Sequence, residues 1–264
     1  MNIYDIFPIN LLIGAAYWLV TTISSLITPF AGAQSAAIAV VLLTLVTRAL
    51  LIPVGRSQMK ANITRQRLAP RIAELQRKYR KNPELLQRKT MELYKEEKAS
   101  PFAGCLPVLA QMPVLMAVYG LFILPQIGGH DNELLSQSFL GIPLGSGFVP
   151  QIAAGAVDVT STVVFVAIML LIAVVAQASR KLLPQPQMGG ADSQGRSAVD
   201  RPAGMPDLSG MTRVLSFMPF MTAVIAAFVP LAAALYLLVT TSWTFVERLI
   251  LGRIYGVGRE PQST

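Results

Sequence analysis

The chain has few of the residues that covalent cross-links and metal centres require. Its 264 residues include one cysteine, Cys105, and one histidine, His130. A single cysteine excludes a disulfide within the chain and a cysteine-ligated metal cluster, and a single histidine excludes a site with several histidine ligands. We therefore expect no cofactor and no metal, and we interpret His130 as a polar loop residue.

Charged residues are also scarce. They make up 14% of the chain, whereas hydrophobic residues make up 53%, and soluble domains contain about 25% charged residues. This composition is typical of an integral membrane protein. The length allows several spans and one modest polar excursion, with no sign of a second soluble domain.

Two long stretches, 1–35 and 125–160, contain no lysine or arginine. Of the 22 basic residues, thirteen lie within 56–98, five within 180–213 and three near the C-terminus, and the remaining one is Arg48. Because basic residues collect on the cytoplasmic side of a bilayer, we predict that the two stretches lie outside and the basic clusters inside. This placement favours a membrane protein over a nucleic-acid-binding protein as the explanation of the net charge of +8.

Five apolar runs approach the roughly 20 residues that a membrane-spanning helix needs: 36–54, 102–124, 160–178, 214–229 and 231–251. Five crossings from an outer N-terminus reproduce the sidedness of the basic clusters and leave the C-terminus in the cytoplasm. We therefore predict an all-α membrane protein with spans at 35–56, 101–124, 158–180, 212–229 and 230–251. The predicted connections are an outer segment at 1–34, an inner segment at 57–100, an outer loop at 125–157, an inner loop at 181–211 and an inner tail at 252–264.

A further apolar run, 9–27, has two interpretations: a helix that lies on the outer surface, or a sixth span with an inside N-terminus. The surface helix is favoured because an inside N-terminus would carry no basic residue.

The basic inner segment is predicted to form a helical hairpin. Asn82 followed by Pro83 is typical of a helix N-cap and first helical position, so a second helix begins there. The alternative is a solvated linker with charged faces, and a basic hairpin could also rest on anionic lipid headgroups. The first helix carries a narrow apolar seam at intervals of four, three and four: Leu68, Ile72, Leu75 and Tyr79.

Arg48 lies two-thirds of the way along the first apolar run. A guanidinium in hydrocarbon costs between roughly 2.5 and more than 10 kcal/mol unless water or a partner solvates it. At about 1.5 Å per residue, Arg48 lies roughly 10 Å from the cytoplasmic end of the span, so its long stem could extend to the headgroups. The alternative is a polar cavity among the helices.

Polar side chains in several predicted spans favour the cavity. No carboxylate lies in the middle of a predicted span, which disfavours a proton-coupled pump. An anion channel or carrier with Arg48 as its binding site remains an alternative. An enzyme is not expected, because no nucleophile and base form a recognisable constellation. The polar residues are Thr44, Thr47, Gln111, Gln177, Thr240, Thr241 and Ser242.

Two runs carry a family resemblance. Residues 44–53 read TLVTRALLIP, and residues 101–113 read PFAGCLPVLAQMP. The chain resembles the YidC/Oxa/Alb membrane-protein insertase family over nearly its whole length, from Tyr4 to Ile250. The motif positions are Pro53, Gly104, Cys105, Pro107 and Pro113.

The resemblance implies five helices around a hydrophilic groove that opens to the cytoplasm and to lipid but is closed toward the outside. It also implies that Arg48 is the groove arginine, that Tyr236 and Trp243 lie at the family's aromatic positions, and that the hairpin is mobile. The implied function is non-enzymatic insertion of nascent membrane proteins in the bacterial plasma membrane, with the ribosome and the Sec translocon as partners. An acidic substrate tail would gain most from Arg48.

Three positions depart from the family pattern. Leu237 replaces an aromatic residue, Thr241 stands where asparagine is frequent, and Glu247 stands where glutamine is usual. Glu247 is a candidate partner of Arg48 or of Arg248, and it therefore affects the net charge expected in the groove.

Overall fold

The structure is a computed structural model that describes residues 4, 6–7, 9–97, 99, 106–183 and 218–255. Within these ranges the chain is helical apart from two short β-hairpins and their connections, and the prediction of an all-α membrane protein is confirmed. The helices are α1 (Ile9–Ala31), α2 (Ser35–Leu50), α3 (Ile52–Lys78), α4 (Pro83–Glu96), α5 (Leu106–Leu121), α6 (Phe148–Ala153), α7 (Val159–Leu182), α8 (Met218–Ile225) and α9 (Leu231–Ile254). The strands are β1 (Gln126–Ile127), β2 (His130–Asp131), β3 (Ser138–Phe139) and β4 (Ile142–Pro143).

Three helical segments of the described ranges are long and apolar enough to cross a membrane. They are Ile9–Leu50, which joins α1, a short 3-10 turn and α2, and the helices α7 and α9. Helix α5 has 16 residues and α8 has 8, and each follows residues outside the described ranges. The arrangement of five spans around a groove therefore stays a prediction.

Helix α1 lies against the ends of two other helices. Its beginning packs on the end of α5, where Ile13 contacts Gly120. Near its end, the Ser24 and Thr28 hydroxyls donate hydrogen bonds to Ser35 Oγ at the start of α2, at 3.0 and 3.3 Å. Both contacts involve helix ends that adjoin the predicted outer segments, so they favour the surface-helix interpretation of 9–27. The helix runs to Ala31, four residues beyond the predicted end.

The break between α2 and α3 lies at Leu51. Pro53 is in the first turn of α3 and has no N–H to donate to the carbonyl four residues earlier, so the helix cannot continue without interruption. The predicted boundary between the first span and the inner segment, at 56–57, lies within α3. This 27-residue helix therefore continues from the end of the predicted first span into the first arm of the hairpin.

The inner segment forms two helices that pack together, α3 and α4. Asn82 caps α4 by accepting a hydrogen bond from the Leu85 N–H at 3.1 Å, and one leucine of each arm is buried, Leu68 of α3 and Leu93 of α4. Beyond α4, Glu97 accepts hydrogen bonds from two arginines of α3, Arg67 at 3.0 Å and Arg71 at 2.6 Å. These contacts fasten the return arm to the middle of the long helix.

The helices pack tightly at one end of the molecule and loosely at the other. In α2 every buried residue lies between Ser35 and Thr44. In α9 the buried residues run from Leu231 to Tyr236, and only Leu251 is buried beyond them. The tight end is the end that adjoins the predicted outer loop, so the looser end is on the predicted cytoplasmic side.

The predicted outer loop is a packed cap rather than an open connection. Its Leu144 is fully buried, and the carbonyls of Leu144 and Ser146 accept hydrogen bonds from the Ala232 and Leu231 N–H groups at 3.1 and 2.8 Å. The first N–H groups of a helix have no partner within the helix, so the cap supplies partners at the start of α9. Just beyond the cap, the Asp158 carboxylate caps α7 by accepting a hydrogen bond from the Ser161 N–H at 2.9 Å.

Asn132 holds the cap on the end of α5. Its side chain is buried, and its amide nitrogen donates to the carbonyls of Leu121 and Leu124 at 2.6 and 2.9 Å. Its amide oxygen accepts from the Leu134 N–H at 3.1 Å. One side chain therefore pairs with two carbonyls at the end of α5 and with one N–H group of the loop.

We predict that Asn132→Ala destabilises the protein by about 2–3 kcal/mol, because each buried polar group left unpaired costs about 1–3 kcal/mol. Thermal unfolding in detergent, followed by circular dichroism, measures the change. His130→Ala is the matched control, since His130 is an exposed residue of the same loop and surface changes stay within about 0.5 kcal/mol. Equal stability of the two variants would contradict the role assigned to Asn132.

Candidate functional site

A cavity lies where the end of α2, the start of α3 and the second half of α9 meet. Its volume is about 60 Å³, and each water needs roughly 10–15 Å³ of such volume, so the cavity can hold a few water molecules. It lies at the loosely packed end of the molecule. The polar side chains that line it are Arg48, Gln58, Asn62, Thr244, Glu247 and Arg248.

The spacing of these residues explains why they share one cavity. On α3, Gly55, Gln58 and Asn62 are separated by three and four residues and so lie on one helix face. On α9, Thr244 and Glu247 are three residues apart, and Arg248 is four residues from Thr244. Each helix therefore turns a polar face toward the end of α2.

Glu247 is held in the cavity wall by two contacts. The Trp243 indole N–H donates a hydrogen bond to Glu247 Oε2 at 3.1 Å. The carboxylate lies so close to Gly55 that a Cβ at that position would be 2.7 Å from Glu247 Cδ. The other oxygen, Oε1, is buried and has no hydrogen-bond partner among the described residues. Glu247 thus has one buried oxygen without a hydrogen-bond donor among the described residues, and the lack of a side chain at Gly55 leaves room for its carboxylate.

Arg48 is half-buried and lines the same cavity. It lies within electrostatic range of Glu247, as does Arg248, although no carboxylate of the described ranges comes within 4 Å of either guanidinium. Arginine stays protonated under all ordinary conditions. The cavity therefore brings two permanent positive charges and one carboxyl group together, and Arg48 has polar neighbours rather than a purely apolar environment.

The threonines of the first span do not line the cavity. Thr44 is buried, and its hydroxyl donates to the Val40 carbonyl at 2.7 Å. The Thr47 hydroxyl donates to the carbonyls of Leu43 and Thr44. Both hydroxyls are thus satisfied by their own helix, as is common for threonine in membrane helices.

The three predicted site residues of the last helix lie in different surroundings. Trp243 reaches the cavity wall through Glu247. Tyr236 is buried in the tightly packed half of α9. Thr240 lies between them, and its hydroxyl is buried without a hydrogen-bond partner in the part of the chain that the structure describes.

Of the remaining predicted site residues, the described ones, Gln177, Pro53 and Pro113, do not line the cavity. Gln177 lies on an exposed face of α7. Pro53 and Pro113 lie within α3 and α5, where Pro53 contributes to the break before α3. Gly104 and Cys105 lie outside the described residues, and Pro107 and Gln111 belong to α5 but their side chains are outside the description.

Sequence reasoning missed most of the cavity wall that α3 supplies. Gly55, Gln58 and Asn62 were assigned to the end of the span and to the charged hairpin, whereas they form one small and polar face. Their helical spacing was a usable signal, because the rest of that helix is rich in arginine and lysine. The contact between Gly55 and Glu247 had no signal in the sequence, since the two residues are far apart along the chain.

The sequence matches a family of membrane proteins over most of its length. A sequence model of the family described as "60Kd inner membrane protein" matches residues 26–257. The chain is also 46% identical over 85 residues to the membrane protein insertase YidC of Clostridium perfringens, a match that covers 32% of this chain and 36% of that protein.

Two longer matches have lower identity. One is to the membrane protein insertase YidC 1 of Listeria monocytogenes, with 27% identity over 268 residues, covering 98% of this chain and 75% of that protein. The other is to the chloroplast inner membrane protein ALBINO3 of Arabidopsis thaliana, with 28% identity over 236 residues, covering 83% of this chain and 46% of that protein. The chain thus spans less than half the length of some relatives that it matches.

The contact between Gly55 and Glu247 generates a prediction. Gly55→Ala should lower stability by about 1–3 kcal/mol, because the added methyl group overpacks against the carboxylate. Gly252→Ala is the control: a Cβ there meets nothing within 4 Å, so the change should raise helix stability by about 0.5–1 kcal/mol. Thermal unfolding in detergent gives both values. A rise in melting temperature for Gly55→Ala equal to that for Gly252→Ala would contradict the close contact.

Proposed function

This chain belongs to the 60Kd inner membrane protein family, which is the YidC/Oxa/Alb family, and on that premise we propose that it is a membrane protein insertase. The observation that carries the proposal is that Arg48 lines a polar cavity at the loosely packed end of the helices. In this proposal the hydrophilic segment of a nascent membrane protein enters that cavity, while its apolar segment moves sideways into lipid.

The cavity lowers the free energy of a polar segment inside the membrane. A backbone N–H or C=O without a hydrogen-bond partner costs several kcal/mol in hydrocarbon. Arg48, Gln58 and Asn62 supply donors, Thr244 supplies a hydroxyl, and water fills the remaining volume. Because the cavity holds only a few water molecules, an entering tail separates α3 from α9 as it replaces that water.

The neighbouring helix surfaces suit lateral release. On α2, Val46 and Leu50 are exposed, and on α9, Val246 and Ile250 are exposed. These side chains flank the cavity along the same two helices, so an apolar segment that leaves the cavity meets apolar protein and then lipid. We propose the path between α2 and α9 as the exit.

We further propose that the chain resides in the bacterial plasma membrane with its N-terminus outside and its C-terminus in the cytoplasm. The absence of basic residues from 1–35 and 125–160 supports this orientation. The packed outer cap keeps the cavity closed toward the outside, and the basic hairpin of α3 and α4 faces the cytoplasm. There it can receive nascent chains from the ribosome or the Sec translocon and contact anionic lipid.

The proposal predicts that cells depleted of their own insertase regain insertion of a small single-span protein when they express this chain. Protease protection of the substrate measures insertion. Arg48→Gln should reduce insertion of an acidic-tailed substrate by about tenfold, since one charge pair in a partly hydrated site is worth about 1–2 kcal/mol. A neutral-tailed substrate should be affected less.

Arg253→Gln is the matched control, because it removes the same charge from an exposed residue of the same helix, away from the cavity lining. Membrane abundance of each variant is measured in parallel. Absence of rescue by the unmodified chain would overturn the insertase proposal. Rescue that is indifferent to Arg48→Gln would overturn only the role of the arginine. Substrate-independent anion flux through the purified protein in vesicles, without rescue, would favour a channel instead.

A further inference from the structure

Glu247 lines the cavity, but the proposed function gives it no role. An insertase that relied on Arg48 alone would need only positive charge and water at this point. The chain instead places a carboxylate in the wall, facing the same cavity. A carboxylate there opposes any attraction that the arginines exert on an acidic tail, so its presence calls for a role of its own.

The structure holds Glu247 in place without satisfying it. Trp243 donates to one oxygen at 3.1 Å, and the lack of a side chain at Gly55 leaves space for the carboxylate. The second oxygen is buried and has no donor among the described residues. This oxygen, Oε1, lies against Gly55. Leaving a charged acceptor unpaired in a buried position is unfavourable, so Oε1 is suited to a donor that reaches it when an entering tail separates α3 from α9.

The three charges of the cavity differ in what they can bind. With Glu247 ionised, the cluster of Arg48, Arg248 and Glu247 carries one net positive charge. Without that carboxylate it would carry two. An acidic tail can pair with a guanidinium, and a lysine side chain or a backbone N–H can pair with the free oxygen of Glu247. The cavity therefore offers partners of both signs within electrostatic range of each other.

We propose that Glu247 sets the charge preference of this insertase by contacting the substrate directly, so that the cavity accepts acidic, neutral and basic tails alike. This inference rests on the proposed function. It assigns to Glu247 a donor-binding role, for lysine side chains and backbone N–H groups of the entering segment. It also assigns to Glu247 the suppression of a strong preference for acidic tails.

The test uses three substrates with one apolar segment and three tails, which carry two aspartates, two asparagines or two lysines. Each is expressed with the full-length chain in insertase-depleted cells, and insertion is measured by protease protection. The unmodified chain should insert the three substrates to similar extents. Glu247→Gln should raise insertion of the acidic tail and lower insertion of the basic tail, which changes their ratio by roughly threefold to tenfold for one charge at this range.

Glu247→Gln is a conservative change, because glutamine has the same size and keeps an oxygen that accepts from Trp243. Glu96→Gln is the matched control, since it removes the same charge from an exposed position at the end of α4. That variant should leave the ratio of the three substrates unchanged. The membrane abundance of both variants is compared with that of the unmodified chain, and the comparison of tails within one variant is independent of abundance.

Each outcome has one meaning. Insertion of all three substrates by the unmodified chain, with Glu247→Gln reducing them equally, overturns the inference and makes Glu247 a structural residue. A strong preference of the unmodified chain for the acidic tail also overturns it. Insertion of no substrate overturns the proposed function and the inference with it. A shift of the acidic-to-basic ratio by Glu247→Gln alone supports the inference.

Discussion

The arrangement of this protein depends on keeping one guanidinium hydrated among apolar helices. Arg48 can be tolerated in the first span only if water, polar side chains or lipid headgroups solvate its guanidinium. Three features together supply that environment. They are the break between α2 and α3 at Leu51, the small residue Gly55 in the first turns of α3, and the polar face of α9. None of these features stabilises a membrane helix on its own. They occur together because each contributes to the polar surroundings of the Arg48 guanidinium.

The opposite end of the molecule is built to exclude water. The loop after α5 folds into two tight β-hairpins and packs its apolar side chains with those of α1, α2, α7 and α9. Its carbonyls accept hydrogen bonds from the first N–H groups of α9, and Asn132 pairs with carbonyls at the end of α5. The described part of the molecule is therefore densely packed at one end and loosely packed at the other, which is the asymmetry that the proposed one-sided entry of a polypeptide requires.

Local features of the structure followed from the sequence, whereas contacts between distant residues did not. The N-cap at Asn82 and the seam through Leu68 depend on neighbours along the chain, so their spacing predicted the two helices of the inner segment. Arg48 stood out because its surroundings in sequence are apolar. Thr44 shows the limit of such reasoning: a threonine near the arginine suggested a wet face, but its hydroxyl bonds to its own helix.

Gln177 shows the same limit. It is a polar residue in an apolar helix, and its sequence position alone did not indicate that it lies on the exposed face of α7. The pairing of Gly55 with Glu247 required the fold, because only the packing of α3 on α9 brings them together. The family pattern drew attention to Glu247 as a departure from glutamine, and the structure then placed its carboxylate in the wall of the Arg48 cavity.

Water access to the cavity from the cytoplasmic side tests this account most directly. The test uses two variants in a Cys105→Ser background: Thr244→Cys, at a position that lines the cavity, and Ala234→Cys, at a buried position in the tightly packed half of the same helix. In membrane vesicles of defined orientation, a charged, membrane-impermeant thiol reagent should modify position 244 from the cytoplasmic face only and should leave position 234 unmodified from either face. An unreactive cysteine at 244, or one modified from the outer face, would contradict a hydrated cavity that opens on one side.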